Sequence, residues 1–295
     1  MGTLSAKPCQ GESLPLDPAQ KISTPERGRY FDIMINVGYD MKIAACQFAV
    51  SGDMSKNDSR IKHAVVTAAA QGAQLLVFPE CALTGYPPRD IPNSSAVDSA
   101  AMATLLDELG RAAMEHGMCI VLGTITRENS ALRNSAAILL PDGRRQLYHK
   151  RALWGWDRDN FVPGSEPGIF ELDGLKIGVR ICYEVRFPEY FRELYAAGTD
   201  LNLVLFYDVS DRDDVDRYDL IKAHLRTRAA ENVTPLLSTN AIHPFQTAPT
   251  AFFGRSGNAV HELIRNADGM LVFEFSKSPL DFSEVGRKYI SDSLV

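Results

Sequence analysis

Residues 175–189, LKIGVRICYEVRFPE, change character at a single cysteine, and that change constrains the fold more than any other stretch. Leu175, Ile177, Val179 and Ile181 alternate with Lys176, Gly178 and Arg180, the period of two of a strand. The alternation stops at Cys182. Pro188 and Glu189 then suit the first turn of a helix, where proline loses no hydrogen bond and an acid meets the positive end of the dipole. A cysteine on a strand-to-helix turn faces free backbone N–H groups, and nearby positive charge lowers a thiol pKa. Taken alone, such a cysteine more often closes a core strand, because free cysteine is among the most buried residue types. The rest of the chain decides between the two readings.

Strand and helix patterns alternate from residue 41 onward. Strands are expected at 42–48, 75–78, 119–123, 135–140, 144–150, 169–172, 201–206 and 235–239, and helices at 55–71, 98–116, 188–197 and 216–232. Asp53 or Ser55 caps the first helix, and Gly72 and Gly117 stop the first two. Leu105, Leu109, Ala112 and Ala113 form the expected apolar stripe of the second. Alternating βα units with interspersed hairpins predict an α/β fold with a mixed sheet, or two sheets, covered by helices. A doubly wound nucleotide fold would need a glycine-rich turn after the first strand, and Ala49-Val50-Ser51-Gly52-Asp53 offers one glycine.

Both ends read differently from this middle. Residues 1–40 have no sustained period and no apolar core of a secretory signal, so they are read as a tag or extension. The patterned middle spans 41–275 and reads as one domain. Residues 276–295 are polar and weakly periodic, and read as a tail lying on another surface.

A net charge of −6 argues against nucleic acid as a partner, and no apolar run approaches the roughly 18 residues of a membrane helix. Five cysteines (Cys9, Cys46, Cys81, Cys119 and Cys182) form no CxxC pair, which argues against zinc and disulfides and for a reducing cytoplasm.

Two further segments end strands with chemistry-bearing residues. Val77-Phe78-Pro79-Glu80 brings a glutamate out of a buried apolar strand, which is costly unless the acid is paired or functional. By itself it also reads as a helix cap. Tyr148-His149-Lys150-Arg151 alone reads as a solvated hairpin tip. Together with the cysteine turn, these segments resemble the nitrilase, or carbon–nitrogen hydrolase, superfamily. The family carries a glutamate after an apolar strand (VFPE, Glu80), a lysine in a YxK strand end (YHK, Lys150), and a cysteine in a G-x-x-I-C-[YW]-[DE]-x-R-[FY]-P-E run (GVRICYEVRFPE, Cys182). Arg228-Ala229-Ala230-Glu231-Asn232 and Gly254-Arg255-Ser256 match later family segments.

The resemblance implies a four-layer α-β-β-α sandwich, two mixed sheets covered by helices, assembled as a homodimer or higher homo-oligomer. It implies amide hydrolysis without metal or organic cofactor, on a small-molecule amide. Cys182 would attack as a thiolate, Glu80 would act as base, and Lys150 with the Tyr183 N–H would stabilise the oxyanion. One position departs from the family. Its second glutamate precedes the Phe of the F-x-P-G turn by four residues, and here, before Phe161, stands Asp157. That carboxylate is about 1.5 Å shorter in reach, one C–C bond; Asp159 is the alternative. Tyr86, Trp154 and Asp208 are candidates to line the substrate pocket, Asp208 facing a cationic group. Residues after Cys182 resemble the amidase branches, and Leu83-Thr84-Gly85-Tyr86-Pro87-Pro88 resembles the glutaminase domain of glutamine-dependent NAD synthetases. The alternatives are a nitrile or N-carbamoyl amide hydrolase, or a catalytically weak binding or assembly member.

Overall fold

In β1 (Asp40–Gln47), Met41, Ile43 and Ala45 enter one apolar core and Ala44 enters another. A strand buried on both faces belongs to a layer covered above and below. The computed structural model describes residues 40–294 and shows that layering throughout. The leader expected over residues 1–40 lies, except for Asp40, outside the described residues.

Two six-stranded sheets form the middle. The first is ordered β14 (Gly269–Ser276), β1, β2 (Leu75–Val77), β3 (Cys119–Glu128), β4 (Ala131–Leu139) and β5 (Arg145–His149). The second is ordered β13 (Ala259–Glu262), β12 (Ala251–Phe253), β10 (Leu236–Asn240), β8 (Leu201–Phe206), β7 (Leu175–Ile181) and β6 (Ile169–Leu172). Each has a parallel centre, β1-β2-β3 in one and β10-β8-β7 in the other, with antiparallel edges. A short ribbon pairs β9 (Val209–Ser210) with β11 (Phe245–Gln246).

Three apolar cores glue four layers together. Ile43, Leu75, Val77 and Val121 of the first sheet meet Val179, Ile181, Leu203 and Leu205 of the second. Helices α1 (Met54–Ala70) and α2 (Ser99–His116) press Ile61, Val65, Leu106 and Leu109 onto Leu76 and Phe78. Helices α4 (Pro188–Ala196) and α5 (Val215–Glu231) press Phe191, Ile221 and Leu225 onto Val204 and Phe206. This is the α-β-β-α sandwich of two mixed sheets that the alternation and the resemblance predict.

Local signals explain most boundaries. Asp53 caps α1 by accepting from the Ser55 and Lys56 N–H groups, and Asp98 caps α2 in the same way. The buried stripe of α2 is Met102, Leu106, Leu109 and Ala113, so Leu105 and Ala112 flank it rather than form it. Strands β3 and β4 are longer than expected. Their continuation carries the buried polar residues Thr124, Thr126 and Asn134, which interrupt the apolar pattern.

The C-terminal segment, weakly periodic in sequence, is largely helical. Phe282–Asp292 is a helix, α6. Asp281 accepts from the Glu284 N–H while Glu284 accepts from the Asp281 N–H, a capping box that the sequence D-F-S-E carried. The helix docks on its own chain. Arg192 Nη2 donates to Ser291 O at 3.1 Å, Tyr195 bonds to Asp292, and Arg255 pairs with Glu284 at 2.9 Å.

One close approach fixes the path to the site. A Cβ on Gly123 of β3 would sit 2.4 Å from Glu80 Cα and 2.3 Å from Cys81 N. The Gly123 N–H donates to Pro79 O at 3.0 Å, so the two backbones are bonded at that distance. Gly123→Ala is expected to cost about 1–3 kcal/mol by overpacking and to displace Glu80. Urea unfolding and turnover check this; a variant with wild-type midpoint and activity would contradict it.

Candidate active site

Glu80 leaves β2 through Pro79 and reaches the junction of the two sheets, where its N–H donates to Phe206 O at the end of β8, 3.2 Å away. Its carboxylate is buried. Oε1 accepts from Lys150 Nζ at 2.8 Å and from Asn134 Nδ2 at 2.7 Å. Oε2 accepts from the Tyr207 N–H at 2.8 Å. Lys150 follows β5, and its N–H donates to Asn134 O at 2.8 Å. The same ammonium also donates to Asp157 Oδ2 at 2.7 Å. Lys150 is thus a buried bridge between two carboxylates.

Asp157 stands on α3 (Trp156–Asn160), a short helix the sequence reading did not anticipate. Gly155 before it adopts φ 58°, ψ −128°, a conformation open to glycine. The shorter carboxylate therefore reaches the ammonium, and its other oxygen accepts from the Tyr86 hydroxyl at 2.6 Å. Asp159, the alternative, faces outward and pairs with Arg158 at 3.0 Å.

The cysteine turn is built as its sequence suggests. Strand β7 ends at Ile181, Cys182–Arg186 forms a 3-10 turn, and Pro188 opens α4. Cys182 itself has φ 47°, the left-handed region that costs a non-glycine residue energy and that clusters at functional sites. Cys81, beside Glu80, has φ 51°. The Tyr183 N–H belongs to the first residues of the 3-10 turn, where N–H groups lack partners within the turn.

Two residues central to this geometry were not singled out from sequence. Glu184 is fully buried; Oε2 accepts from the Ile181 N–H at 2.6 Å, and Oε1 accepts from the Tyr148 hydroxyl and the Arg151 N–H, each at 2.7 Å. It ties the cysteine turn to the segment carrying Lys150. Asn134 holds Glu80 from β4 and accepts from the Cys81 thiol at 3.9 Å. Both were legible as polar side chains inside apolar strands or turns, which must find partners when buried.

The electrostatics correct one expectation. Burial, reinforced by the Glu80 carboxylate, pushes the Cys182 thiol well above its usual value, against the pull of Lys150. The single ammonium is outweighed by desolvation and by Glu80, Asp208 and Asp157, so the resting nucleophile is a thiol rather than a stored thiolate. Burial also raises Glu80, with Asp157 adding to it and Lys150 and Asn134 opposing. Burial pulls the Lys150 ammonium down, but Glu80 and Asp157 together hold it well above the usual lysine range.

The remaining candidates separate. Tyr86 joins the cluster through Asp157 and stacks on Tyr207, with ring centroids 4.8 Å apart. Trp154 is 65% exposed and lies against Arg158, so the structure does not bring it into the cluster. Asp208 is buried near Cys182 but already engaged, with Thr247 and with Arg217 Nη2 at 2.8 Å, which fills the place assigned to a cationic substrate group. Among the described residues no group of three or more His, Cys, Asp or Glu is arranged to hold a metal ion. In the acidic loop after β9, Asp211 pairs with Arg89, Asp213 with Arg265, and Asp214 caps α5.

Residues 42–273 match the family model described as carbon-nitrogen hydrolase. The chain belongs to the carbon–nitrogen hydrolase family. Within it, this hydrolase groups with the amidase-type branch of the nitrilase superfamily. It is 34% identical over 203 residues to a 2-oxoglutaramate amidase of Bacillus subtilis, covering 64% of this chain and 72% of the relative. It is 30% identical over 194 residues to an (R)-stereoselective amidase of a Pseudomonas species, covering 65% of this chain and 68% of the relative. The hydrolase superposes on a crystal structure of an amidase from a Nesterenkonia species with TM-score 0.71 at 26% identity, covering 86% of this chain and 96% of the other. A glutamate-to-glutamine variant of that amidase shows covalent addition of the acetamide moiety of fluoroacetamide at its active site cysteine; it matches with TM-score 0.70 at 27% identity, over 80% of this chain and 90% of the other.

Proposed function

We propose that the protein hydrolyses a small linear amide to acid and ammonia through a thioester on Cys182. The observation that carries this is the buried Lys150 ammonium held between Glu80 and Asp157 beside the cysteine turn. Glu80 takes the thiol proton as sulfur bonds to the amide carbon. The oxyanion so formed is met by the Lys150 ammonium and the Tyr183 N–H, each donor of this kind being worth about 3 kcal/mol of barrier. Protonated Glu80 passes its proton to the leaving nitrogen, the C–N bond breaks, and ammonia departs. Water then gives a proton to Glu80 and attacks the thioester, and the sulfur leaves and regains its proton. Because the resting thiol is neutral, proton removal and attack occur together, which suits a base whose own affinity for protons is raised.

The shorter Asp157 carboxylate still reaches the Lys150 ammonium, at 2.7 Å, which speaks against a catalytically weak member. Ammonia release from a panel of amides, N-carbamoyl compounds and nitriles tests the reading. Turnover of nitriles alone, or of no compound in the panel, would contradict it.

Asp157 is proposed to orient Lys150. Asp157→Asn is expected to lower kcat by about 10–100-fold with the fold intact, while Asp159→Asn changes little. Equal effects of the two substitutions would remove the role from Asp157.

The assembly is proposed to be a homodimer, supported by apolar residues left in solvent on α6: Phe282 is 94% exposed and Tyr289 74%. A sedimentation mass equal to one 32.5 kDa chain at micromolar concentration would contradict it. A reducing compartment such as the cytoplasm is proposed from the free thiols of Cys46, Cys81, Cys119 and Cys182; a disulfide between any of them in protein isolated without reductant would contradict it. No helix among the described residues is long and apolar enough to cross a membrane.

A further inference from the structure

Each oxygen of a carboxylate offers two acceptor directions, and the two oxygens of Glu80 are used unequally. Oε1 accepts from Lys150 Nζ at 2.8 Å and from Asn134 Nδ2 at 2.7 Å, which fills both of its directions. Among the described residues Oε2 accepts only from the Tyr207 N–H, at 2.8 Å, so one of its directions stays open. Glu80 is also the charged group that acts most strongly on the Cys182 thiol.

Asn134 is placed to create this inequality. It stands on β4 two and four residues before Ala136 and Ile138, whose side chains enter the core between the sheets, and the period of two aims it the same way. Two neighbours orient its amide: Nδ2 faces the Glu80 carboxylate, and Oδ1 accepts from the Cys81 thiol at 3.9 Å. Its backbone oxygen accepts from the Lys150 N–H at 2.8 Å. One residue thus holds the base by its side chain and the lysine by its main chain.

We propose that Asn134 is a positioning residue that, together with Lys150, saturates Glu80 Oε1 and leaves Oε2 as the oxygen that takes the Cys182 proton. This rests on the amide-hydrolase reading of the site. The titratable groups around Glu80 are Lys150 after β5, Asp157 on α3, Cys182 after β7, and the neighbouring Cys81 and Tyr86. Replacing Asn134 removes none of them. Asn134 favours the ionised form of Glu80, so loss of its donor raises Glu80 further and leaves less of the base ionised at low pH. At high pH Glu80 is ionised in either protein, and the difference closes.

Alkylation of Cys182 by iodoacetamide, followed against pH by peptide mass spectrometry, reads this without turnover. The sulfur bonds to the methylene carbon, iodide leaves, and the thiol proton passes to Glu80. Asn134→Leu keeps most of the side-chain volume and loses the donor. Its Cys182 is expected to react about tenfold more slowly than wild type on the acid limb and within about threefold of it at high pH. Asn134→Ala is expected to show the same pattern, and it decides the matter if the leucine variant does not fold. Ser135, also on β4, bonds to Thr126 and His149 instead, and Ser135→Ala is expected to leave the acid limb in place. An acid limb that does not move, an equal loss at every pH, or the same displacement in Ser135→Ala overturns the proposal. Ammonia release from the panel of amides runs alongside. A displaced limb without ammonia from any amide supports the role of Asn134 and counts against amide hydrolysis; ammonia with an unmoved limb does the reverse.

Discussion

Cys182→Ala is expected to abolish turnover, a loss of about 10⁴-fold or more, because no acyl-enzyme forms without the sulfur. The fold should tolerate the change. Cys182 keeps some exposure, and its small side chain packs at the margin of two apolar cores rather than inside either. A stability change below about 1 kcal/mol is expected, read as a nearly unshifted urea midpoint. Cys182→Ser should also be very slow, since a hydroxyl is far less ionised than a thiol and Glu80 is matched to the easier proton. Substantial ammonia release by Cys182→Ala would remove the cysteine from the mechanism.

Lys150→Met is expected to have the largest effect on stability. It leaves Glu80 and Asp157, 1% and 4% exposed, facing one another without the ammonium between them. Breaking a buried pair from one side costs about 3–5 kcal/mol, and the lost oxyanion donor lowers turnover as well. The deficit should depend on pH. Burial and Asp157 already raise Glu80, and Lys150 is the largest influence opposing them. Without Lys150 the folded-state value rises further above the unfolded value of about 4.3. A carboxyl raised in this way is most favourable to folding while protonated, below the unfolded value. Its contribution is lost as pH rises through the raised folded value. The gap in unfolding midpoint between variant and wild type should therefore narrow as pH falls from neutral towards the ordinary carboxylate range. A gap independent of pH would mean that Glu80 is not left unpaired by the substitution.

The layers were legible because strand and helix periods in the chain agree with burial. The alternation of Leu175 to Ile181 became β7 with its apolar side between the sheets. Polar side chains buried for a reason hid the rest. Asn134 broke the pattern of β4, and its burial became intelligible only with Glu80 placed against it. The first turn of α6 was written in its capping box, but Phe282, Val285 and Tyr289 face solvent, so burial gave no stripe to read. Glu80, Lys150 and Cys182 were selected from sequence by their strand ends and by resemblance. The reach of Asp157 was not readable, because it depends on α3 and on the conformation of Gly155. The direction of the Cys182 shift was missed for a related reason: the burial that dominates it, and the carboxylates of Glu80, Asp208 and Asp157 that add to it, arise only when segments far apart in the chain meet.

The central claim is a covalent bond between Cys182 and the acyl half of an amide. Intact-protein mass spectrometry of quenched samples, with a slowly hydrolysed amide and with ammonia measured in parallel, tests it most directly. The predicted result is a mass increase of one acyl group that maps to Cys182 and is absent from Cys182→Ala, with ammonia appearing before free acid. An adduct on Cys46, Cys81 or Cys119, or ammonia and acid released together with no adduct at any time, would contradict it.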